Sequence, residues 1–63
     1  MSIYSIKTLI TNNQYETCFI IHNDAIFPFL DVEGYDKILE MFGKCPVHDW
    51  MYDSSTCTLV ITV

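Results

Sequence analysis

Arginine is missing from this 63-residue chain, and lysine occurs only at positions 7, 37 and 44. Proteins that bind nucleic acids or anionic membranes directly use clustered Lys and Arg side chains to neutralise phosphates. These lysines are spread along the chain, so we expect no direct contact with nucleic acid or a membrane. Eight acidic residues give a formal net charge of -5. That charge fits a protein partner with a basic surface, and it also serves to keep a small protein soluble.

Long apolar runs and paired cysteines are also missing. No apolar stretch approaches the roughly 18 residues that a membrane span needs, and Lys7 interrupts the short apolar stretch near the start. The three cysteines, Cys18, Cys45 and Cys57, are an odd number without a CxxC pair, which makes a poor disulfide framework. Thiols of this kind are typical of a reducing compartment. We therefore expect a cytoplasmic protein.

Glycine and proline are scarce, with two of each, and the sequence contains no repeat, linker or low-complexity segment. Hydrophobic residues make up 51% of the chain and aromatic residues 14%, which is enough for a packed core. We expect one domain over residues 1–63. A typical ligand pocket of roughly 300–1,000 Å³ would occupy much of so small a fold, so size favours a binding surface over an active site.

The first third of the chain alternates apolar and polar residues with period two. This pattern predicts two strands, Ile3–Thr11 and Tyr15–His22. Between them, Asn12 and Asn13 tolerate the left-handed conformation that a two-residue type I′ turn requires. The sequence therefore predicts an N-terminal β-hairpin.

A turn at residues 22–24 and a single helix are predicted for the middle of the chain. Ile26–Leu30 fits a short edge strand or an extended connection, because Pro28 cannot donate a ladder hydrogen bond. Asp31 is the expected N-cap of a helix over about residues 32–43. Gly43 suits the left-handed position that often follows the last turn of a helix.

The last third predicts a second hairpin, with strands Val47–Tyr52 and Cys57–Val63 joined by a turn at residues 53–56. The predicted order is β-β-(β)-α-β-β. Hairpin connections keep neighbouring strands antiparallel. We therefore expect an α+β fold, in which one helix packs on one face of a small antiparallel sheet.

Two Cys–His pairs invite a metal hypothesis. Cys18 and His22 lie four residues apart, and Cys45 and His48 three residues apart. Residues four apart on one strand are separated by about 13 Å, too far to share one ion. No thiol is placed beside a base with an oxyanion donor, and the paired carboxylates suit caps and turns. We expect no metal, no cofactor and no enzymatic activity.

Two surfaces are candidates for partner binding. The first is an acidic strip along the predicted helix, which could attract a basic protein. The second is the sheet face that the helix leaves uncovered, where apolar side chains would meet a partner or a second copy. The residues predicted for the acidic strip are Asp31, Glu33, Asp36 and Glu40, and those for the apolar sheet face are Leu9, Ile20, Met51 and Val60.

The sequence favours a small acidic protein that binds and inhibits or regulates another macromolecule. Scarce Gly, Ala, Arg and Pro beside abundant Ile, Asn, Asp, Tyr and Phe often accompany low-GC coding sequences. That bias is compatible with a phage or mobile-element inhibitor of a host nucleic-acid-binding protein. The alternative is a structural or assembly subunit that forms a homodimer or larger homo-oligomer through its sheet face.

Overall fold

A helix, and not the predicted strand, occupies the first part of the chain. The computed structural model describes residues 5–30 and 35–63, and its first element is α1, Ile6–Asn12. Ser5 caps this helix, because its side-chain oxygen accepts from the Thr8 N–H at 3.2 Å. Apolar residues at i, i+3 and i+4 then form one buried face, made by Ile6, Leu9 and Ile10.

The predicted turn at Asn12-Asn13 is also wrong, because these two residues lie at the end of α1. Asn13 ends α1, and both its backbone N–H and its side-chain amide donate to the Leu9 carbonyl. The N-terminal hairpin lies further along the chain, between β1, Thr17–His22, and β2, Ala25–Leu30. Its turn residues, Asn23 and Asp24, have φ angles of 51° and 66°. Positive φ at both positions is what a type I′ turn requires, and Asn and Asp tolerate it.

The second helix, α2, spans Asp36–Phe42, within the predicted helix. The predicted cap at Asp31 lies outside the described residues. Gly43 has a helical φ of -57°, so the predicted left-handed conformation there is wrong. Glycine fits because a Cβ at this position would collide with the Leu39 carbonyl. Phe42 is buried at the end of α2, where its ring packs against the aromatic rings of Phe27 and Phe29.

The C-terminal hairpin agrees closely with the prediction. It consists of β3, Asp49–Asp53, and β4, Thr58–Thr62, which pair antiparallel. Trp50 and Tyr52 share a sheet face with Leu59 and Ile61, as the alternation predicts. An apolar strand flanked by turn residues is a strong local signal, so the position of this hairpin can be predicted from the local sequence.

The four strands form one sheet in the order β2-β1-β4-β3. The central pair, β1 and β4, is parallel, so the sheet is mixed and the prediction of a wholly antiparallel sheet is wrong. The reason is the connection between the hairpins. It runs from β2 through α2 to β3, and such a helical crossover returns the chain in the same direction. Among the described residues the fold therefore has four strands and two helices, an α+β arrangement with one helix more than predicted.

Both helices pack on the same face of the sheet. Their buried residues join one apolar cluster with the alternate strand residues that point toward them. Because side chains alternate between the two faces of a strand, the neighbouring residues point away from both helices. The buried members of the cluster are Ile6, Leu9, Ile10, Tyr15, Cys18, Ile20, Phe29, Ile38, Phe42, Val47, Leu59 and Ile61.

Candidate protein-binding surface

The face of the sheet opposite the helices, called the open face below, is apolar at its centre. Residues paired across neighbouring strands point to the same side of a sheet. The register therefore defines three rows that cross all four strands. From β2 to β3 these rows are Leu30–Thr17–Thr58–Asp53, Pro28–Phe19–Val60–Met51 and Ile26–Ile21–Thr62–Asp49.

The centre of the open face is a shallow groove. It has a volume of about 250 Å³ and an entirely apolar lining of Phe19, Ile21, Ile26 and Val60. Ile26 is 62% exposed, and Met51, on the far side of Val60, is 61% exposed. Large apolar side chains that are exposed together on one surface mark a place where a protein meets a partner.

Two of the four residues predicted for this surface lie on it, namely Met51 and Val60. The predicted positions of Leu9 and Ile20 are wrong. Leu9 belongs to α1 and faces the core, and Ile20 is completely buried beneath the helices. In β1 the prediction assigned the two faces in reverse, because Ile20 and Ile21 are both apolar and the alternation alone cannot orient them.

Sequence reasoning missed Phe19, Ile21 and Ile26 as members of the open face. The correct orientation of β1 follows from its pairing with β4, where Cys18 and Ile20 stand beside Leu59 and Ile61. The one local signal was Asn23-Asp24. A two-residue turn there sets β1 against β2 and places Ile21 opposite Ile26.

Of the predicted acidic strip, the two described residues lie on the other side of the molecule. Asp36 and Glu40 are exposed on α2, one helical turn apart, in the layer that covers the opposite face of the sheet. Asp31 and Glu33 lie outside the described residues. The structure thus places the two described acids of the strip away from the open face.

A different pair of acids borders the open face. Asp49 and Asp53 are exposed at the two ends of β3, on the same side of the sheet as Met51 between them. Asp53 Oδ1 accepts from the Ser55 N–H at 3.0 Å and from the Ser55 hydroxyl at 2.6 Å. These hydrogen bonds to the ionised form lower the pKa of Asp53. The border of the open face is therefore anionic at neutral pH.

Both edges of the sheet are protected against the addition of another strand. On the β2 edge, Pro28 lacks the N–H that an added strand would bond. Pro28 is paired with Phe19, whose backbone N–H and C=O are directed toward β4 and not toward β2. The Pro28 nitrogen therefore points outward from the sheet. On the β3 edge, the Trp50 N–H donates to Asp49 Oδ1 at 2.8 Å. Edge protection of this kind leaves the open face as the larger uncovered surface of the sheet.

The cysteines do not form a site in the described part of the chain. Cys18 is buried in the core, and burial raises the pKa of its thiol to about 12. Cys45 and Cys57 are half-buried and, like Cys18, not disulfide-bonded. Within residues 5–30 and 35–63, no group of three or more His, Cys, Asp or Glu side chains is placed to hold a metal ion.

A second depression, of about 480 Å³, lies where α1 ends and the chain turns toward β1. Its lining contains no carboxylate, imidazole, thiol or amine, and its polar groups are hydroxyls and side-chain amides. The lining residues are Ile10, Thr11, Asn12, Asn13, Gln14, Tyr15 and Tyr35.

Neither described helix is long or apolar enough to cross a membrane. No protein-family model, curated protein or solved structure matches the chain.

Proposed function

We propose that this chain is a small binding protein that docks on another protein through its open face and inhibits or regulates it. The observation that supports this proposal is the apolar character of the central strands on both faces. Strands β1 and β4 read Thr-Cys-Phe-Ile-Ile-His and Thr-Leu-Val-Ile-Thr. Near-continuous apolar strands are typical of sheets that are covered on both sides, and here the two described helices cover only one.

The overall charge supports a basic partner. At -5 the chain would be attracted to a positively charged surface, and Asp36 and Glu40 on α2 add to that long-range field. A host nucleic-acid-binding protein, blocked by a phage or mobile-element inhibitor, is a partner of this kind. The proposal assigns the chain a binding role in the cytoplasm and no catalytic role.

Two methionines test the proposal as a matched pair. Met51 is 61% exposed on the open face, and Met41 is 51% exposed on α2. We expect Met51→Gln to weaken capture of the partner from a host lysate, while Met41→Gln captures as much as wild type. The captured protein is then purified and its binding measured. Faster dissociation of Met51→Gln alone is the expected result, because loss of apolar contact acts on the off-rate.

Equal binding by the two methionine variants and wild type would mean that the open face is not the docking surface. The second candidate function, an assembly subunit, rests on the same apolar face. It predicts a homo-oligomer that Met51→Gln weakens. Sedimentation equilibrium of the purified chain alone distinguishes the two functions.

A further inference from the structure

On the described strands, the acidic border of the open face has no lysine beside it. The four strands contain no lysine. Lys7 and Lys37 lie on α1 and α2, and Lys44 follows α2. Asp49 and Asp53 therefore face whatever covers the sheet without a lysine on the described strands beside them. A well-matched partner must supply that charge, because burying an unpaired carboxylate is costly.

A second copy of this chain cannot supply it in a closed dimer. Closed dimers are two-fold symmetric and bring identical surfaces together. If β3 lies over β3, the four carboxylates of Asp49 and Asp53 approach one another. If β3 lies over β2, the carboxylates meet the apolar side chains of Ile26 and Leu30 instead. Both arrangements are electrostatically poor, so the charge of the border favours a different partner.

The spacing of the border suggests the shape of that partner. Asp49 and Asp53 are four residues apart on one strand, which is about 13 Å. On an α-helix, residues seven or eight apart lie on the same face and are separated by roughly 10–12 Å. Flexible Lys or Arg side chains cover the remaining gap. An apolar residue midway between two such cations would lie over Met51.

We infer that the open face binds an amphipathic helix of a partner protein, lying along the strands over Val60 and Met51. Its apolar side chains enter the groove, and two basic side chains, seven or eight residues apart, bind Asp49 and Asp53. This inference rests on the proposed function and adds the chemistry of the partner to it. Helices on both sides of a sheet form a common layer arrangement, and the other side of this sheet already carries two.

Three synthetic helical peptides serve as probes. The first carries Leu at positions i+3 and i+4 between Lys at i and i+7, the second has Glu in place of Lys, and the third has its Lys on the opposite face. Fluorescence anisotropy measures their affinity for the full chain. We expect the first peptide to bind at least tenfold more tightly than the other two, and its affinity to fall with rising salt.

Two double variants make the matched test. Asp49→Asn with Asp53→Asn removes two charges from the open face, and each Asn keeps an oxygen that accepts from Trp50 or Ser55. Asp36→Asn with Glu40→Gln removes the same charge from α2. We expect the first pair to lower affinity for the Lys peptide about tenfold, since it removes both charges with which the two lysines would pair. The α2 pair should have little effect.

Several outcomes would overturn the inference. Equal losses from the two double variants would mean attraction by net charge alone. A homodimer that Met51→Gln dissociates would identify a second copy as the occupant. If Met51→Gln weakens binding but Asp49→Asn with Asp53→Asn does not, the open face remains the docking surface and only the basic helix is wrong. If none of these variants matters, the proposed function fails as well.

Discussion

The two faces of the sheet are made by the same four strands, yet among the described residues only one face is covered, by α1 and α2. On the helix side, Ile20, Leu59 and Ile61 are completely buried by α1 and α2. On the open face, Phe19, Ile21 and Val60 are equally apolar but only half-buried. Apolar residues on the two faces of the sheet therefore differ in how much of their surface the fold buries. The first set forms the buried core, and the second leaves part of its apolar surface in contact with solvent.

A first prediction tests the burial of the helix side of the sheet through the reactivity of Cys18. The thiolate is the reactive form of cysteine, and the pKa of the Cys18 thiol is raised to about 12. At pH 8 we expect native Cys18 to react with iodoacetamide more than about a thousandfold slower than an ordinary thiol. Cys45 and Cys57, which are half-buried, are the internal controls. Mass spectrometry of the labelled peptides measures the rates. If Cys18 were labelled as fast as Cys45, Cys18 would not be buried on the helix side of the sheet.

The same shift predicts alkaline destabilisation. Because the folded pKa of Cys18 lies above the unfolded value, the folded state holds this proton more tightly. Its contribution to stability is complete below about pH 8.5 and declines as the pH rises toward 12. A Cys18→Ala variant should lack this part of the pH dependence in thermal unfolding.

A second prediction compares two isoleucines on opposite faces. Ile20 is completely buried and Ile26 is 62% exposed. Ile20→Ala should lower the free energy of unfolding by about 2–5 kcal/mol, because it leaves a cavity under the helices. Ile26→Ala should change the free energy by about 0.5 kcal/mol or less. Urea denaturation measures both variants, and similar values for the two would mean that the faces are assigned incorrectly.

A third prediction concerns the open face alone. Ile26→Ser combined with Met51→Ser should reduce the binding of a hydrophobic dye such as ANS, because both side chains are exposed there. The Tm should remain within about 2–4 °C of wild type. Met41→Ser is the control, since Met41 is similarly exposed but lies on α2. Unchanged dye binding by the double variant would indicate that the open face is not a continuous apolar surface.

The smallest expected effect is at the border of the open face. Because hydrogen bonds from Ser55 lower the folded pKa of Asp53, its contribution to stability is present above about pH 4. The contribution is lost as the pH falls through the folded pKa. Carboxyl ¹³C titration should show a lowered pKa for Asp53 in wild type and a higher one in Ser55→Ala. An identical pKa in both proteins would contradict the assigned cause.

The C-terminal hairpin could be predicted from sequence, and the N-terminal region could not. Residues 47–63 carry one clear alternation around one turn, and local signals suffice there. Residues 3–11 satisfy two patterns at once, since Ile6, Leu9 and Ile10 fit a helix while Thr8 and Ile10 fit a strand. The Ser5 cap and burial against the sheet decide between them. Intrinsic helix and strand propensities predict secondary structure poorly where tertiary packing determines which of the two forms.

The candidate site was predictable only in part, because the orientation of one of its strands depends on non-local pairing. The uncovered apolar face was anticipated, and Met51 and Val60 lie on it. The orientation of β1 depends on its parallel pairing with β4, which no local pattern encodes. The carboxylates Asp49 and Asp53 were interpreted as turn and cap residues, which describes the hydrogen bonds of Asp53 to Ser55. It does not describe Asp49, which accepts from the Trp50 N–H within β3, or the position of both beside Met51.

The parallel pairing of β1 with β4 also determines how this chain can fold. Each hairpin is local and can form in about 1–10 μs. The central ladder joins strands that are far apart in the chain, with β2, α2 and β3 between them, so a large loop must close before it is stabilised. Folding should therefore be limited by the meeting of two preformed hairpins. Substitutions such as Cys18→Ala or Leu59→Ala, at the junction of these hairpins, should slow folding more than substitutions within either turn.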